Sequence, residues 1–336
     1  MNLRIPGPTP LPPEVLAAVS QQMISHRSGE YRALHQEVAS GVQKFFQTKN
    51  DVFFFTSSGT GTMEAAVVNT LSPGDRALGV TMGVFGDRFM DVAKAHGIDL
   101  TILRFPMGQA ADPEKVAEAF AKIENCKAIL ITHNETSTAI ANDLAAITKA
   151  IRERAEVASF VIPSPAQGGV NSVEGSLASK TATCARYYFD FAHMKKYHDK
   201  HETPETPAIS TLYALQAALK IMLKRGVKET FRYYEGLSLY TRTVLMQNGF
   251  TLFGDQTHAS NTVTALLVPE SLPAGRQGLT DEDFRGTLKK KYGLILSGGK
   301  GEMKGKIVRI AHMGSVSRED IDKAVEAMVK ARNELQ

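Results

Sequence analysis

The stretch from Phe53 to Ala66, FFFTSSGTGTMEAA, passes from an apolar segment through a small polar turn into a helical pattern. Its aromatic start favours a buried strand over 51–56, and its alanine-rich end favours a helix over 61–71. The start of a helix carries unpaired backbone N–H groups and the positive end of the peptide dipole, so the turn over 57–61 suits an anion such as a phosphate. An ordinary N-cap with a flexible glycine fits this stretch equally well.

The turn differs from the two common phosphate-binding loops. No Gly-Lys-Ser/Thr sequence follows it, and its glycine spacing is not that of a dinucleotide-binding fingerprint. The rest of the chain must therefore identify the ligand.

The composition is that of an ordinary globular protein. Of the 336 residues, 43% are hydrophobic and 22% are charged, which at this length predicts a large core and two domains. The net charge of +4 is small and the basic residues are scattered, so nucleic acid is not indicated. Cys126 and Cys184 lack the spacing of metal ligands, and neither a signal peptide nor a membrane span is recognisable. We therefore expect a protein of the reducing cytoplasm, without a metal or a membrane partner.

Strand patterns alternate with helical patterns through the first half of the chain. Strands are predicted over 51–56, 76–81, 99–104, 127–132 and 157–162, and helices from about Tyr31 and over 61–71, 84–96, 113–123 and 143–155. This alternation predicts an α/β fold with a mainly parallel sheet, which binds ligands beyond the carboxyl ends of its strands. Two longer helices, over about 208–224 and 228–247, precede strand patterns and a last helix typical of a smaller α+β domain.

Eight segments, in this order, resemble the class V aminotransferases, specifically the alanine–glyoxylate and serine–glyoxylate (serine–pyruvate) group. The segments are GPTPLPPEVL, HRSGEYRALHQEV, NDVFFFTSSGTGTMEAAVVNTLSPGD, GVFGDRF, THNETSTAIANDLAAI, RYYFDF, TPETPAISTLYAL and GKIVRIAHMG. Together they span nearly the whole chain, which makes the match more specific than any one motif. The resemblance implies fold type I of the transferases that depend on pyridoxal 5′-phosphate (PLP). It also implies an N-terminal arm over 1–13, a large PLP-binding domain over 14–225 and a small C-terminal domain over 226–336.

The resemblance also implies a set of cofactor-binding residues. Ser58, Gly59 and Thr60 would donate to the phosphate of PLP, Phe85 would stack on the pyridine ring, and the hydroxyl of Thr136 would reach the phenolic oxygen. Each has a plainer alternative when the family is set aside: a helix cap for the first three, a core aromatic for Phe85, and a loop threonine that bonds its own backbone for Thr136.

Two further positions concern the partner subunit and the substrate. Thr206 matches a segment that in the family crosses to the neighbouring subunit and contacts its phosphate, which implies a homodimer. From the residues alone, Thr206 is predicted to be the N-cap of the helix over 208–224. Arg309 lies in a short apolar strand pattern, where it needs a partner, and in the family this arginine binds the substrate carboxylate. A salt bridge to a nearby Asp or Glu is the alternative.

The residues that carry the chemistry in the family are not found at their expected places. The family has an aspartate at the end of the strand over 157–162 to hold the pyridine nitrogen, where this chain has Pro163. The turn that carries the Schiff-base lysine has no counterpart, and we expect the large domain to be shortened between about 163 and 185. Lys180 is expected to be a solvated helix residue, and Lys195 and Lys196 are no better placed. Covalent attachment of PLP is therefore not expected.

Three functions are compatible with the sequence. The first is a PLP-dependent aminotransferase of small amino and oxo acids, with alanine or serine as donor and glyoxylate or pyruvate as acceptor. The second is a non-catalytic relative, or an internally deleted chain, without measurable transamination. The third is a cysteine desulfurase, which needs a reactive loop cysteine. Cys126 precedes a strand and Cys184 lies in a helical pattern, so neither fits that role.

Overall fold

A computed structural model of the chain describes residues 2–154, 159–164, 170–175, 182–268 and 280–335, with the backbone alone for 159–164 and 170–175. The strands are β1 (Asn2–Arg4), β2 (Arg76–Thr81), β3 (Asp99–Arg104), β4 (Ala128–Ile131), β5 (Asn134–Glu135), β6 (Ile140–Ala141), β7 (Ser159–Ser164), β8 (Val170–Gly175), β9 (Val263–Leu267), β10 (Leu294–Gly298) and β11 (Ile307–Ala311). The helices are α1 (Pro13–Val19), α2 (Gly29–Phe46), α3 (Gly59–Thr70), α4 (Val84–Ala95), α5 (Pro113–Ala121), α6 (Leu144–Arg152), α7 (Phe191–His198), α8 (Ile209–Arg225), α9 (Val227–Gln247), α10 (Asp281–Tyr292) and α11 (Arg318–Leu335).

The larger sheet confirms the predicted mainly parallel arrangement. Its strand order is β3-β2-β4-β7-β8, in which the first four strands run parallel and β8 is antiparallel to β7. Helices α5 and α6 pack on one face, against Leu78 and Ile129, and α3 and α4 pack on the other. Gly79 lets α4 approach closely, because a Cβ there would lie 1.9 Å from the Met90 sulfur. The carboxyl ends of β2, β4 and β7 therefore open toward one side.

The predicted strand over 51–56 is wrong. Residues 51–55 form no strand, although their composition is that of one. A strand needs a hydrogen-bonded neighbour, and in the described part of the chain no strand pairs with this segment, since the larger sheet ends at β8. Its aromatic rings pack instead on residues near α7, with 5.5 Å between the ring centres of Phe53 and Phe191 and of Phe55 and Phe189.

The C-terminal part forms the predicted smaller α+β unit. Its sheet has the order β1-β10-β11-β9, in which β1 runs parallel to β10 and the other pairs are antiparallel. Helices α9, α10 and α11 cover it over a buried core that includes Phe284, Ile310 and Met328. A capping box begins α11, because the Ser317 N–H donates to Asp320 Oδ2 at 2.9 Å and the Asp320 N–H donates to Ser317 Oγ at 3.2 Å.

Two features of this part were not predicted. Helix α10 begins at Asp281 with Thr280 as its cap, in a part of the chain where no helix was predicted; residues 269–279 lie outside the described residues. The N-terminal arm contributes β1 to the C-terminal sheet, with Asn2 opposite Leu294. The domain limits at residues 13 and 225 remain a prediction.

No helix in the described ranges has both the length and the apolar character to cross a lipid bilayer.

Candidate active site

The first residues of α3 form a site suited to an anion. Ser58 is the N-cap and keeps its side chain free of a capping hydrogen bond, while its carbonyl accepts from the Gly61 N–H at 3.0 Å. Gly59 and Thr60 occupy the first two helical positions, whose N–H groups have no acceptor within a helix. The helix dipole adds positive potential at the same place. The three residues predicted to hold a phosphate therefore present donors together.

Arg88 adds a full positive charge to this end of the site, and the sequence did not single it out. Its Nη1 donates to Thr60 Oγ1 at 3.2 Å, and its guanidinium carbon lies 5.1 Å from the centre of the Phe85 ring. The sequence feature that could have indicated Arg88 is its spacing from Phe85, because residues three apart in α4 share a helix face. Arg88 thus connects the anion site to the predicted ring-stacking residue.

Phe85 is held at the start of α4 by a buried carboxylate. Glu135 is fully buried, and its Oε2 accepts from the N–H groups of Phe85 and Gly86 at 3.0 Å each. Gly83 makes room for this contact, because a Cβ there would lie 2.6 Å from the Glu135 carboxyl carbon. Burial raises the pKa of Glu135, while the hydrogen bonds from Ser137 and the backbone oppose that shift. The half-buried ring of Phe85 is therefore fixed in orientation.

Arg309 marks the other end of the site. It is 3% exposed in β11, where its Nε and Nη2 donate to the Gly298 carbonyl at 3.0 and 2.7 Å and its Nη1 donates to the Thr136 carbonyl at 2.7 Å. No carboxylate lies within ion-pair distance of it in the described residues, so the alternative of a local salt bridge is not found there. Burial lowers its pKa to about 10, so it stays charged at neutral pH. Each terminal nitrogen keeps one N–H for a further acceptor.

These groups line one cavity of about 260 Å³. Its walls are Pro6, Gly7, Ser58, Gly59, Thr60, Met63, Phe85, Arg88, Thr136, Ser297, Lys300 and Arg309. The structure thus brings six of the seven predicted site residues together. The exception is Thr206.

Thr206 lies elsewhere, beside a second, smaller cavity lined by residues near α7. The prediction that it is the N-cap of α8 is wrong, because that helix begins at Ile209 with Ala208 as its N-cap. Ala208 has non-helical angles, φ −76° and ψ 79°, and its N–H donates to Thr56 Oγ1 at 3.2 Å. Arg27 fixes the preceding segment by donating to the Thr203 carbonyl at 2.7 Å. Contact of Thr206 with a partner's phosphate stays a prediction.

Of the residues considered for the chemistry, Pro163 is described by its backbone alone, Lys180 is not described, and Lys195 and Lys196 do not line the cavity. Pro163 lies in β7 opposite Asn171, beyond the last residue of β7 that pairs with β4. Lys180 lies outside the described residues. Lys195 pairs with Asp51 at 3.2 Å, and the exposed Lys196 does not line the cavity.

Lys300 is the lysine that lines the cavity, and the sequence did not single it out. It follows β10, and its Nζ lies 5.2 Å from the centre of the Phe85 ring. The feature that could have indicated Lys300 is the pairing of β10 with β11, in which Ser297 is opposite Arg309. Residues just after Ser297 must therefore lie at the same end as Arg309.

Neither cysteine supports a desulfurase. Cys126 is half-buried, Cys184 is buried, and neither lines the cavity. Burial raises the pKa of both thiols, which disfavours the reactive thiolate.

The cavity fits the phosphate and the ring of PLP. Two backbone donors at a helix start and Arg88 suit a dianionic phosphate, and the fixed face of Phe85 suits a flat ring. Pro163, the residue that the resemblance places at the family's acid, has no group that could pair with a ring nitrogen.

Comparisons with known proteins agree with this geometry. The family description "Aminotransferase class-V" matches residues 1–162. The chain is 32% identical to a soluble hydrogenase small subunit of Synechococcus sp. and to an uncharacterized aminotransferase of Methanocaldococcus jannaschii, in both cases over 99% of this chain and 93% of the relative. It is 29% identical to a serine–glyoxylate aminotransferase of Methylorubrum extorquens, over 94% of this chain and 87% of that protein.

The alignment to the Synechococcus protein spans 365 positions, whereas this chain has 336 residues. At least 29 positions of that relative, 365 less 336, therefore have no counterpart here.

Among solved structures, the aspartate aminotransferase of subgroup IV from Thermus thermophilus superposes with a TM-score of 0.84 at 26% identity, over 99% of both chains. This likeness confirms the predicted fold type I. The cofactor of this family is PLP, in agreement with the sequence prediction. By its relatives and its fold, the chain belongs to the class V aminotransferase family.

Proposed function

We propose that the cavity binds PLP together with a small amino or oxo acid, as in an aminotransferase that uses alanine or serine as donor and glyoxylate or pyruvate as acceptor. The observation that carries the proposal is Arg309. This guanidinium is buried at 3% exposure, faces the cavity and has no carboxylate partner in the described residues. A buried charge without a counter-ion is costly, so a carboxylate ligand stabilises the site when it binds.

The phosphate end supports the position of the cofactor. The N–H groups at the start of α3 and the Thr60 hydroxyl donate to phosphate oxygens, and Arg88 offsets their charge while holding the same hydroxyl. Phe85 then sets the plane of the ring. When bound, PLP supplies an aldehyde that takes up an amino group and a ring that withdraws electrons.

The substrate end limits the size of the ligand. A cavity of about 260 Å³ that also holds a cofactor leaves room for a short side chain. The two free N–H groups of Arg309 match the two oxygens of a carboxylate, and the Thr136 and Gly298 carbonyls keep the guanidinium from rotating. These residues orient the substrate and do not move its protons.

We also propose a homodimer in which Thr206 of one subunit reaches the phosphate site of the other. The support is the family resemblance together with the placement of Thr206 outside its own subunit's cavity. Sedimentation velocity is expected to show a dimer, and a monomer at all concentrations would contradict this.

Pro163 favours a second candidate function, binding without turnover. A proline at the position of the family's acid leaves the pyridine nitrogen without a charged partner. The unmatched positions of the relative are consistent with the loss of the lysine turn.

One experiment separates the two candidates. The purified chain is assayed for alanine–glyoxylate and serine–glyoxylate transamination with PLP, and the binding of pyridoxine 5′-phosphate, which has no aldehyde, is titrated in parallel. Turnover above that of free PLP supports the aminotransferase, and binding without turnover supports the second candidate. If pyridoxine 5′-phosphate does not bind, the cavity is not the cofactor site.

A further inference from the structure

We propose that the ε-amine of Lys300 is the group of this chain that reacts with the aldehyde of PLP. The inference rests on the proposed function, because it requires PLP in this cavity. It gives a covalent role to a residue at a position different from that of the family's lysine turn.

The placement of Lys300 carries the inference. Its side chain lines the same cavity as the anion site and Arg309, and its Nζ lies 5.2 Å from the centre of the Phe85 ring. The amine would therefore be able to reach the substituents of a ring stacked on Phe85, because the four-carbon stem of a lysine side chain is flexible. In the part of the chain that the structure describes, no other lysine lines this cavity.

The amine is also free to react. The Lys300 amine makes no hydrogen bond or ion pair with the described residues, and its contact there is a cation–π contact with the ring of Phe85. Lys195, by contrast, is held by Asp51 at 3.2 Å. The neighbouring Lys304 and Lys306 are exposed, as Lys300 is, but unlike Lys300 they do not line the cavity.

The electrostatic surroundings favour the neutral, nucleophilic form of this amine. Partial burial and the nearby guanidinium groups of Arg309 and Arg88 lower the pKa of Lys300, and the buried Glu135 opposes them. A cationic neighbourhood of this kind activates lysines for attack on carbonyl groups.

The step balances without an oxidant or a reductant. The neutral amine adds to the aldehyde carbon, a C=N bond replaces the C=O bond, and the oxygen leaves as water. The proton that the ammonium first lost passes to solvent. The reaction is reversible until a hydride from borohydride reduces the C=N bond to a secondary amine.

The test is borohydride trapping of the full chain with PLP, followed by proteolysis and mass mapping. We expect one pyridoxyl phosphate group per chain on Lys300, with labelling at least about tenfold above that of Lys304 and Lys306, because unactivated exposed lysines are mostly protonated at neutral pH. Excess pyridoxine 5′-phosphate should protect Lys300 from labelling.

Matched variants separate charge from reactivity. Lys300→Arg keeps a cation in the cavity but cannot form the C=N bond, so we expect loss of the label with pyridoxine 5′-phosphate affinity within about threefold of the parent. Lys304→Arg should leave both the label and the affinity unchanged.

Label on any other single lysine, Lys180 included, or label spread evenly over the exposed lysines would overturn the inference. If pyridoxine 5′-phosphate still binds in that case, the proposed function stands and only Lys300 is rejected. If it does not bind, the proposed cofactor site fails as well.

Discussion

The cavity wall built by α3, α4 and β11 contrasts with the strand edge at β7 and β8. On the first side, two of the binding residues are held by other groups: Glu135 fixes Phe85 at the start of α4, and two carbonyls fix Arg309. On the second side, the resemblance places Pro163 where the family has its acid, and a proline side chain cannot hold a proton. On that assignment, binding and proton handling would come from different strands of one fold, and this chain would retain the first without the second.

Restoring the family's acid and lysine turn should produce the largest effect, an increase in the rate of transamination. We expect Pro163→Asp, combined with insertion of a family lysine turn after residue 175, to raise alanine–glyoxylate transamination by 10²- to 10⁴-fold, the usual contribution of a positioned proton-transfer group. The same insertion with Pro163→Asn and arginine in place of the lysine is the control. If the parent chain already transaminates as fast as the restored one, the contrast between the two sides is wrong.

Removing the guanidinium of Arg309 tests the substrate end of the cavity. Arg309→Gln should weaken the binding of serine or glyoxylate to the PLP-loaded protein by about 100-fold, because a charge-assisted pair of hydrogen bonds is worth roughly 3 kcal/mol. Calorimetry measures the affinity. Pyridoxine 5′-phosphate should bind this variant as it binds the parent, and an equal loss for both ligands would mean that the variant has lost its structure.

Thr60→Ala tests the phosphate end. The change removes a hydroxyl donor that Arg88 orients, so the affinity for pyridoxine 5′-phosphate should fall ten- to a hundredfold, or about 1.5 to 3 kcal/mol. Thr62→Ala is the matched control, because the Thr62 hydroxyl donates to the Gly59 carbonyl and does not line the cavity. Equal affinities of Thr60→Ala and the parent would place the phosphate elsewhere.

The smallest expected effect is on the stability of the fold around β11, the strand that carries Arg309. His312 is fully buried next to β11, its Nε2 lies 3.0 Å from Thr264 Oγ1, and burial lowers its pKa to about 3 from the usual 6.5. Below about pH 6.5 the unfolded chain binds a proton that the folded chain does not. Stability is therefore full above that pH and falls as the pH decreases, by about 1.4 kcal/mol at pH 5.5 for one such group.

Denaturant unfolding at pH 7.5 and 5.5 measures this loss. His35, whose pKa is lowered to about 4 mainly by burial, contributes a similar amount. His312→Gln should therefore reduce the difference in unfolding free energy between the two pH values by about 1.4 kcal/mol. An unchanged difference would show that His312 is already protonated at pH 5.5 or hydrated in the native state.

The elements that the sequence predicts correctly depend on local pattern. The strand–helix alternation predicts β2, α4 and β3, and the family motifs point to Phe85 and Arg309, which line one cavity. The errors concern pairings across the chain. Residues 51–55 have the composition of a strand but no neighbour to pair with in the described residues, and Thr206 lost its predicted capping role to Ala208.

Lys300 was missed for a related reason. It lies in a glycine-rich loop far along the chain from Phe85, and only the folding of the C-terminal sheet onto α4 brings the two together. Likewise, the charge of Arg88 acquires a role only through its contact with Thr60. Local patterns define the elements, whereas the contents of a cavity depend on how distant elements meet.

The N-terminal strand has a consequence for protein engineering. Because β1 pairs with β10 and the next residues, Pro6 and Gly7, wall the cavity, the first residues of the chain set the shape of a site formed mainly by distant segments. An affinity tag or a protease cut near Asn2 would act directly on ligand binding. The other end is a safer place for a fusion, since α11 ends at Leu335 and none of its residues lines the cavity.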